Sequence, residues 1–171
     1  MGKKVDIDSF KLWKSNFNKF PKISIDGTVI KYWDSVRDKI EDNVNDTQIV
    51  AIECYVGVNI EEIKDALREI IEVLDTRSIF KTKHEVETLT AADVTDDDVF
   101  GYKTRLNLID FFDLHRLKSI VSKLENRNER LAIVGPGAFL VSPNADLKIY
   151  ADLARWEIQK RMKQGKVNGL G

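Results

Sequence analysis

One segment constrains the fold more than any other: an apolar run, a short turn and an amphipathic pattern follow one another directly. Gln48 to Tyr55 form a nearly continuous apolar run rich in β-branched residues, which is typical of a strand buried on both faces. Val56 to Val58 make a tight connection. Asn59 then occupies the position of a helix N-cap, and Glu62 completes a capping-box arrangement. The segment therefore predicts a strand–loop–helix unit.

Similar patterns recur along the chain and extend this unit into a fold. Behind Asn59, one apolar stripe predicts the helix of that unit: Ile60, Ile63, Leu67, Ile70 and Ile71. Further helices are predicted over Lys31 to Glu41, over Asp113 to Asn126, and after Asp152, where Ala154, Ile158 and Met162 lie four apart. Further strands are predicted near Val73 to Asp75, Arg130 to Val134, Phe139 to Val141 and Lys148 to Ala151. The pattern from Lys81 to Thr90 favours neither a helix nor a strand. The alternation predicts a three-layer α/β fold with a mostly parallel sheet and flanking helices.

The length of 171 residues suits a single domain, since domains typically hold roughly 100–200 residues. We expect residues 1–28 to form an N-terminal arm that packs on the body, and residues 29–171 to form one α/β domain. The single cysteine, Cys54, excludes an intramolecular disulfide and fits a reducing compartment. Since no signal peptide and no apolar run of about 20 residues is present, we expect a cytoplasmic protein.

The charge balance argues against nucleic acid as a partner. The chain carries 27 Lys and Arg residues against 28 Asp and Glu residues, a net charge of −1. A protein with this balance has no overall positive field to attract phosphate backbones. We therefore expect no nucleic-acid partner, and because the sequence has no apolar run of about 20 residues we expect no membrane partner either.

Two glycine-containing loops invite comparison with phosphate-binding motifs. A phosphate loop needs G-x-x-x-x-G-K-[ST], but the loop from Glu53 to Asn59 has one glycine, Gly57, and neither Lys nor Ser/Thr. It is either a degenerate phosphate loop or a structural turn. Gly135 to Leu140 partly match the dinucleotide fingerprint, but the third glycine is missing and Pro143 interrupts the expected helix. We interpret this second loop as a turn between two strands.

Strand-end and loop carboxylates are the other candidates for chemistry. Asp152 follows a predicted strand and could coordinate a metal, although a helix N-cap is the favoured interpretation. Asp96 to Asp98 could hold a hard cation or form an acidic surface turn. His84 and His115 lack the spacing and the Cys partners of a zinc site. No metal is expected.

The remaining side chains of interest are a thiol and several large or basic residues. Cys54 lies within a predicted buried strand, which predicts an unreactive thiol. A pocket could be lined by five further residues, each of which could equally belong to the core or the rim: Tyr55, Phe100, Tyr102, Arg105 and Trp156.

Five segments carry a family resemblance. They are similar, in the same order, to the N-terminal domain of large bacterial mannose-6-phosphate isomerase-type proteins, in which a P-loop-kinase-like region precedes a cupin-type isomerase region. The segments are FNKFP (17–21), VAIECYVGV (50–58), TDDDVFGYKTRLNLIDFFD (95–113), VGPGAFLV (134–141) and YADLARWEIQKRMKQG (150–165).

The resemblance implies a P-loop-kinase-like fold with a degenerate phosphate loop. It also implies that isomerisation of mannose 6-phosphate and fructose 6-phosphate, and the zinc that supports it, belong to the downstream cupin region of the parent chain. No catalytic residue and no cofactor are expected here. The resemblance places Gly57 in the phosphate loop of a P-loop-kinase-like fold and Asn59 at the start of the helix that follows it. It places Asp152 at the end of a late strand, and Arg105 where a kinase lid would lie. These four residues are the candidate phosphate or anion site.

Three functions follow from these observations. The first is an accessory binding domain, which contacts the downstream isomerase region and binds a sugar phosphate or nucleotide. The second is a small-molecule kinase of the P-loop type for a sugar or nucleoside, in which Arg105 or Arg155 replaces the loop lysine. The third is a structural or oligomerisation module.

Overall fold

A computed structural model describes residues 18, 21–22, 24, 26–44, 48–95 and 101–166. The chain divides into two compact units, Met1–Ile30 and Lys31–Gly171. All helices and strands given below belong to the second unit. The expected arm over residues 1–28 lies largely outside the described residues, and its packing stays a prediction.

The sheet has four strands that run parallel in the order β2-β3-β1-β4. The strands are β1 (Ile49–Cys54), β2 (Glu72–Asp75), β3 (Leu131–Gly135) and β4 (Leu147–Ala151). Strand β1 is central, with Val50 opposite both Ala132 of β3 and Leu147 of β4. This position explains why its sequence is apolar on both faces. The predicted parallel α/β sheet is confirmed.

Helices cover both faces of this sheet. They are α1 (Trp33–Glu41), α2 (Ile60–Leu67), α3 (Lys83–Thr90), α4 (Leu114–Glu125), α5 (Ala138–Val141) and α6 (Arg155–Lys163), with 3₁₀ turns at Thr76–Ile79 and Leu108–Phe111. Successive side chains of β1 point to opposite faces. Val50 and Ile52 therefore pack in one core with α1 and α2, whereas Ala51 packs in a second core with α4 and α5. None of the described helices is long and apolar enough to cross a membrane.

The strand–loop–helix unit forms as the sequence predicts, with one difference at its cap. Asn59 Oδ1 accepts a hydrogen bond from the Glu62 N–H at 3.4 Å, which fixes the start of α2. The side chain of Glu62 does not complete the capping box. Its carboxylate accepts a hydrogen bond from Trp33 Nε1 at 3.0 Å and so links α2 to α1. Ile63 and Leu67 of α2 are buried in the core.

Two further predictions of local structure are wrong. Phe139 to Val141 lie in α5 and not in a strand, because the backbone N–H groups of Leu140 and Val141 both bond to the carbonyl of Gly137. Gly137 provides the left-handed conformation, φ +78°, that starts this short helix.

The start of α6 is the second correction. Ala154, and not Asp152, occupies the N-cap position, and no side chain of the described residues caps the helix. The Asp152 carboxylate instead accepts from the N–H of the next residue, Leu153, at 2.7 Å. None of the residues of α6 is buried. The final helix therefore lies on the surface of the domain with both of its faces partly exposed.

Candidate functional site

The carboxyl ends of the four strands define the edge where a parallel sheet binds its ligands. At this edge, Asp75 and Gly135 are the last residues of β2 and β3, and Tyr55 and Asp152 directly follow β1 and β4. The strand order places the ends of β2 and β3 on one side of β1 and the end of β4 on the other. The two halves of the edge differ in what fills them.

On the β3 side, an internal carboxylate occupies the place where an anion would bind. Glu53 Oε1 accepts a hydrogen bond from the Gly137 N–H at 2.6 Å, and Glu53 Oε2 accepts one from the Phe139 N–H at 3.0 Å. These N–H groups belong to the loop with the incomplete dinucleotide fingerprint. Since Glu53 already satisfies them, they are not available to a phosphate group.

The end of β2 is closed by further contacts. Thr76 is fully buried, and its hydroxyl donates to the carbonyl of Pro136 at 2.9 Å. Burial alone would raise the pKa of Asp75, but hydrogen bonds from Arg77 and Lys64 outweigh it and hold that pKa below its ordinary value. The carboxyl edge of β2 and β3 is thus filled by the protein itself.

The turn between β1 and α2 is covered by α6. Gly57 adopts φ +91°, and a Cβ at this position would lie 3.1 Å from Ile158 Cγ2. Arg161 Nη1 donates to the Gly57 carbonyl at 3.1 Å, while its Nε donates to Glu157 at 3.0 Å. The only glycine of the loop therefore serves the close approach of α6.

Beside this turn, on the β4 side, the edge is open. A cleft of about 600 Å³ lies between the ends of β1 and β4 and the start of α6. Its two aromatic walls are half exposed, Tyr55 at 50% and Tyr150 at 56%. We call it the tyrosine cleft, and its lining residues are Tyr55, Val56, Tyr150, Asp152, Leu153, Arg155, Ile158 and Gln159.

The polar groups of the tyrosine cleft are close enough to influence one another. Partial burial raises the pKa of the Tyr150 hydroxyl, and the nearby charge of Asp152 raises it further, as do Tyr55 and Glu53. The Arg155 side chain makes no hydrogen bond or ion pair with any residue that the structure describes. The cleft therefore presents one uncommitted guanidinium, one carboxylate and two phenol rings.

The four predicted anion-site residues do not all line the tyrosine cleft. Asp152 lines the tyrosine cleft, and Gly57 lies in the turn beneath α6. Asn59 caps α2 and lines neighbouring grooves instead. Arg105 is exposed in the segment 101–107 and is not among the residues that line the cleft. The binding of an anion by these four residues stays a prediction.

Of the residues considered for a pocket, Tyr55 does line the tyrosine cleft, while Tyr102 is 74% exposed outside it and Trp156 does not line it. Phe100 lies outside the described residues. Sequence reasoning missed Tyr150 and Gln159. Along β4, exposed side chains alternate with partly buried ones, and Tyr150 is one of the exposed side chains. This alternation is the signal that marks Tyr150 as available to a ligand.

Metal and thiol chemistry receive no support from the described part of the chain. There, no three His, Cys, Asp or Glu side chains form a group that could hold a metal ion. Asp96 to Asp98 lie outside these residues. Burial raises the pKa of the Cys54 thiol to about 11, so this cysteine is protonated at neutral pH.

Comparison with known proteins gives one match. A family model described as "Domain of unknown function (DUF8485)" matches residues 31–171, the same range as the second compact unit. No curated protein and no solved structure matches the chain.

Proposed function

The chain belongs to the DUF8485 family, and we propose that its α/β domain is a non-catalytic accessory domain that binds a sugar phosphate in the tyrosine cleft. In this proposal the parent is a mannose-6-phosphate isomerase-type protein, whose cupin region and zinc carry out the isomerisation. The domain presents the ligand or senses its concentration for that region.

The observation that carries the proposal is the Arg155 guanidinium, which lies in an open cleft and has no partner among the described residues. A guanidinium binds phosphate with two parallel hydrogen bonds, which makes arginine well suited to this group. The other two candidate anion positions are already filled, one by Glu53 and one by α6. Arg155 is therefore the favoured phosphate ligand at this edge.

The rest of the cleft suits a polyhydroxylated ring. Tyr55 and Tyr150 offer apolar ring faces with hydroxyls at their tips, and such amphipathic groups suit the C–H face of a sugar. Asp152 and Gln159 can hydrogen-bond sugar hydroxyls. The cleft volume of about 600 Å³ is within the usual range for small-molecule sites, about 300–1,000 Å³.

The turn at Gly57 supports a non-catalytic role. Phosphoryl transfer depends on cations that position and neutralise the transferred group. The segment Tyr55 to Asn59 contains no cation, and α6 packs directly on it through Ile158. Binding of a triphosphate at this turn would require α6 to move away.

Isothermal titration of the 171-residue chain tests the proposal. Mannose 6-phosphate is expected to bind saturably, mannose much more weakly, and ATP–Mg²⁺ not at all. Arg155→Gln should weaken sugar-phosphate binding about tenfold or more, because a charged hydrogen bond contributes about 1.5–3 kcal/mol.

Two matched variants serve as controls for this titration. Arg130→Gln removes an arginine that also lacks a described partner but precedes β3, at the opposite edge. Tyr102→Ala, outside the cleft, matches Tyr150→Ala within it. Tight Mg²⁺-dependent binding of ATP, or binding that the Arg155 and Tyr150 variants leave unchanged, would overturn the proposal.

A further inference from the structure

Two grooves of opposite charge meet at Asn59. The acidic groove, of about 550 Å³, has three carboxylates against one guanidinium: its lining is Trp33, Arg37, Asn59, Glu61, Glu62, Asp65 and Ala66. The basic groove, of about 440 Å³, has three cations against one carboxylate: its lining is Asn59, Glu157, Lys160, Arg161, Gln164 and Lys166. The lining charges are therefore −2 and +2, equal in size and opposite in sign.

The charges in both grooves are only partly neutralised within the chain. Asp65 has an exposed side chain, and among the described residues its carboxylate pairs only with Arg68, one turn away. In the basic groove, Lys166 makes no side-chain hydrogen bond or ion pair with any described residue. Exposed pairs of this kind contribute little to the stability of the fold, so these charges can re-pair with a partner at small cost.

Large apolar side chains accompany both grooves. Trp33 lines the acidic groove and is 38% exposed. Trp156 is 66% exposed, one turn before Lys160, whose ammonium lies 5.8 Å from the centre of its ring. Tryptophan is enriched at the energetic centres of protein interfaces. The surface around Asn59 thus combines complementary charge with apolar anchors.

We propose that this surface is a homodimer interface, in which the acidic groove of one copy receives the basic-groove side of α6 from a second copy. Because both grooves border Asn59, a two-fold axis near this residue brings each groove against its opposite in the partner. Such an interface is self-complementary, as a two-fold dimer requires. It uses residues outside the sugar-binding part of the tyrosine cleft, so it is independent of the proposed function.

A second copy fits these observations better than a free anion or a nucleic acid. A polyanion would be attracted to Lys160 and Lys166 but repelled by the adjacent carboxylates. A copy of this chain satisfies both grooves at once. Like-charge repulsion disfavours orientations that place the two acidic grooves or the two basic grooves against each other.

Charge reversal and sedimentation velocity of the 171-residue chain test the dimer. The wild-type chain should dimerise with increasing concentration, more strongly at low than at high ionic strength, since salt screens these pairs. Asp65→Lys and Lys166→Glu should each weaken dimerisation at least fivefold. Both positions are exposed, so the fold is retained.

An equimolar mixture of the two variants provides the decisive comparison. In the mixed dimer, one contact between positions 65 and 166 keeps the wild-type Asp–Lys pair, and the other has both charges reversed to Lys–Glu. Both contacts are attractive, so the heterodimer should form more tightly than the homodimer of either variant. Lys123→Glu, an exposed position on α4, should behave as wild type. A wild-type chain that stays monomeric at low salt, or a mixture that associates no better than the separate variants, would overturn the proposal.

Discussion

Glu53 and Gly137 are 84 residues apart in sequence, yet the Glu53 carboxylate accepts the Gly137 N–H at 2.6 Å. Through this bond, and a second from the Phe139 N–H, the end of the central strand holds the loop that follows its neighbour. The contact closes one half of the carboxyl edge and leaves the other half to the tyrosine cleft.

Replacing the carboxylate should therefore destabilise the fold. In Glu53→Gln one of the two acceptors becomes an amide N–H₂ that faces a backbone donor. We expect a loss of about 1.5–3 kcal/mol in the free energy of unfolding, measured by urea denaturation. Glu125→Gln, at an exposed position on α4, should change it by less than about 0.5 kcal/mol. Equal stability of the two variants would contradict a structural role for Glu53.

Two glycines with positive φ, one packed and one open, provide a matched test of packing around Gly137. A Cβ at Gly137 would clash with Phe112 Cζ, whereas a Cβ at Gly165 would meet no atom of the described residues within 4 Å. Gly165→Ala should cost about 1 kcal/mol, from backbone strain alone. Gly137→Ala should cost at least about 2 kcal/mol more, because the ring of Phe112 must move. Thermal and urea unfolding of both variants measure the loss in the free energy of unfolding. An equal loss in the two variants would contradict a clash between the added Cβ and Phe112.

Acid should remove the contribution of Asp75. Because the folded pKa of this carboxyl is depressed, its stabilisation is complete above the unfolded pKa, about 3.9, and is lost as the pH falls through the folded pKa. Asp75→Asn should thus be less stable than wild type by about 1–3 kcal/mol at neutral pH. The difference should shrink as the pH falls through the folded pKa of Asp75. A difference that persists unchanged in urea titrations at low pH would show that it does not come from the ionised carboxylate.

The thiol of Cys54 should be nearly inert in the folded chain. Its pKa of about 11, together with 3% exposure, predicts alkylation by iodoacetamide at mildly alkaline pH at least about a hundredfold slower than in the urea-unfolded chain. Mass spectrometry of timed samples gives both rates. Comparable rates would mean that β1 opens readily or that the thiol is ionised in the fold.

Local patterns along the sequence predicted the unit from β1 to α2, because burial on both faces and the Asn59 cap are encoded within a dozen residues. Helix α3 was missed although Thr82 and Glu85 form a complete capping box, which is a readable signal. The role of Glu53 could not be predicted, because its partners lie more than 80 residues away. The same holds for the cleft, since the sequence does not reveal that β4 lies next to β1.

The most direct test of the account is to map the ligand by nuclear magnetic resonance. On addition of mannose 6-phosphate to the isotope-labelled chain, the amides of Tyr55 to Val58 and Tyr150 to Arg155 should shift, and those of Gly135 to Phe139 should not, because Glu53 occupies them. Shifts centred on Gly135 to Phe139, or no shifts in the tyrosine cleft at saturating ligand, would contradict the account.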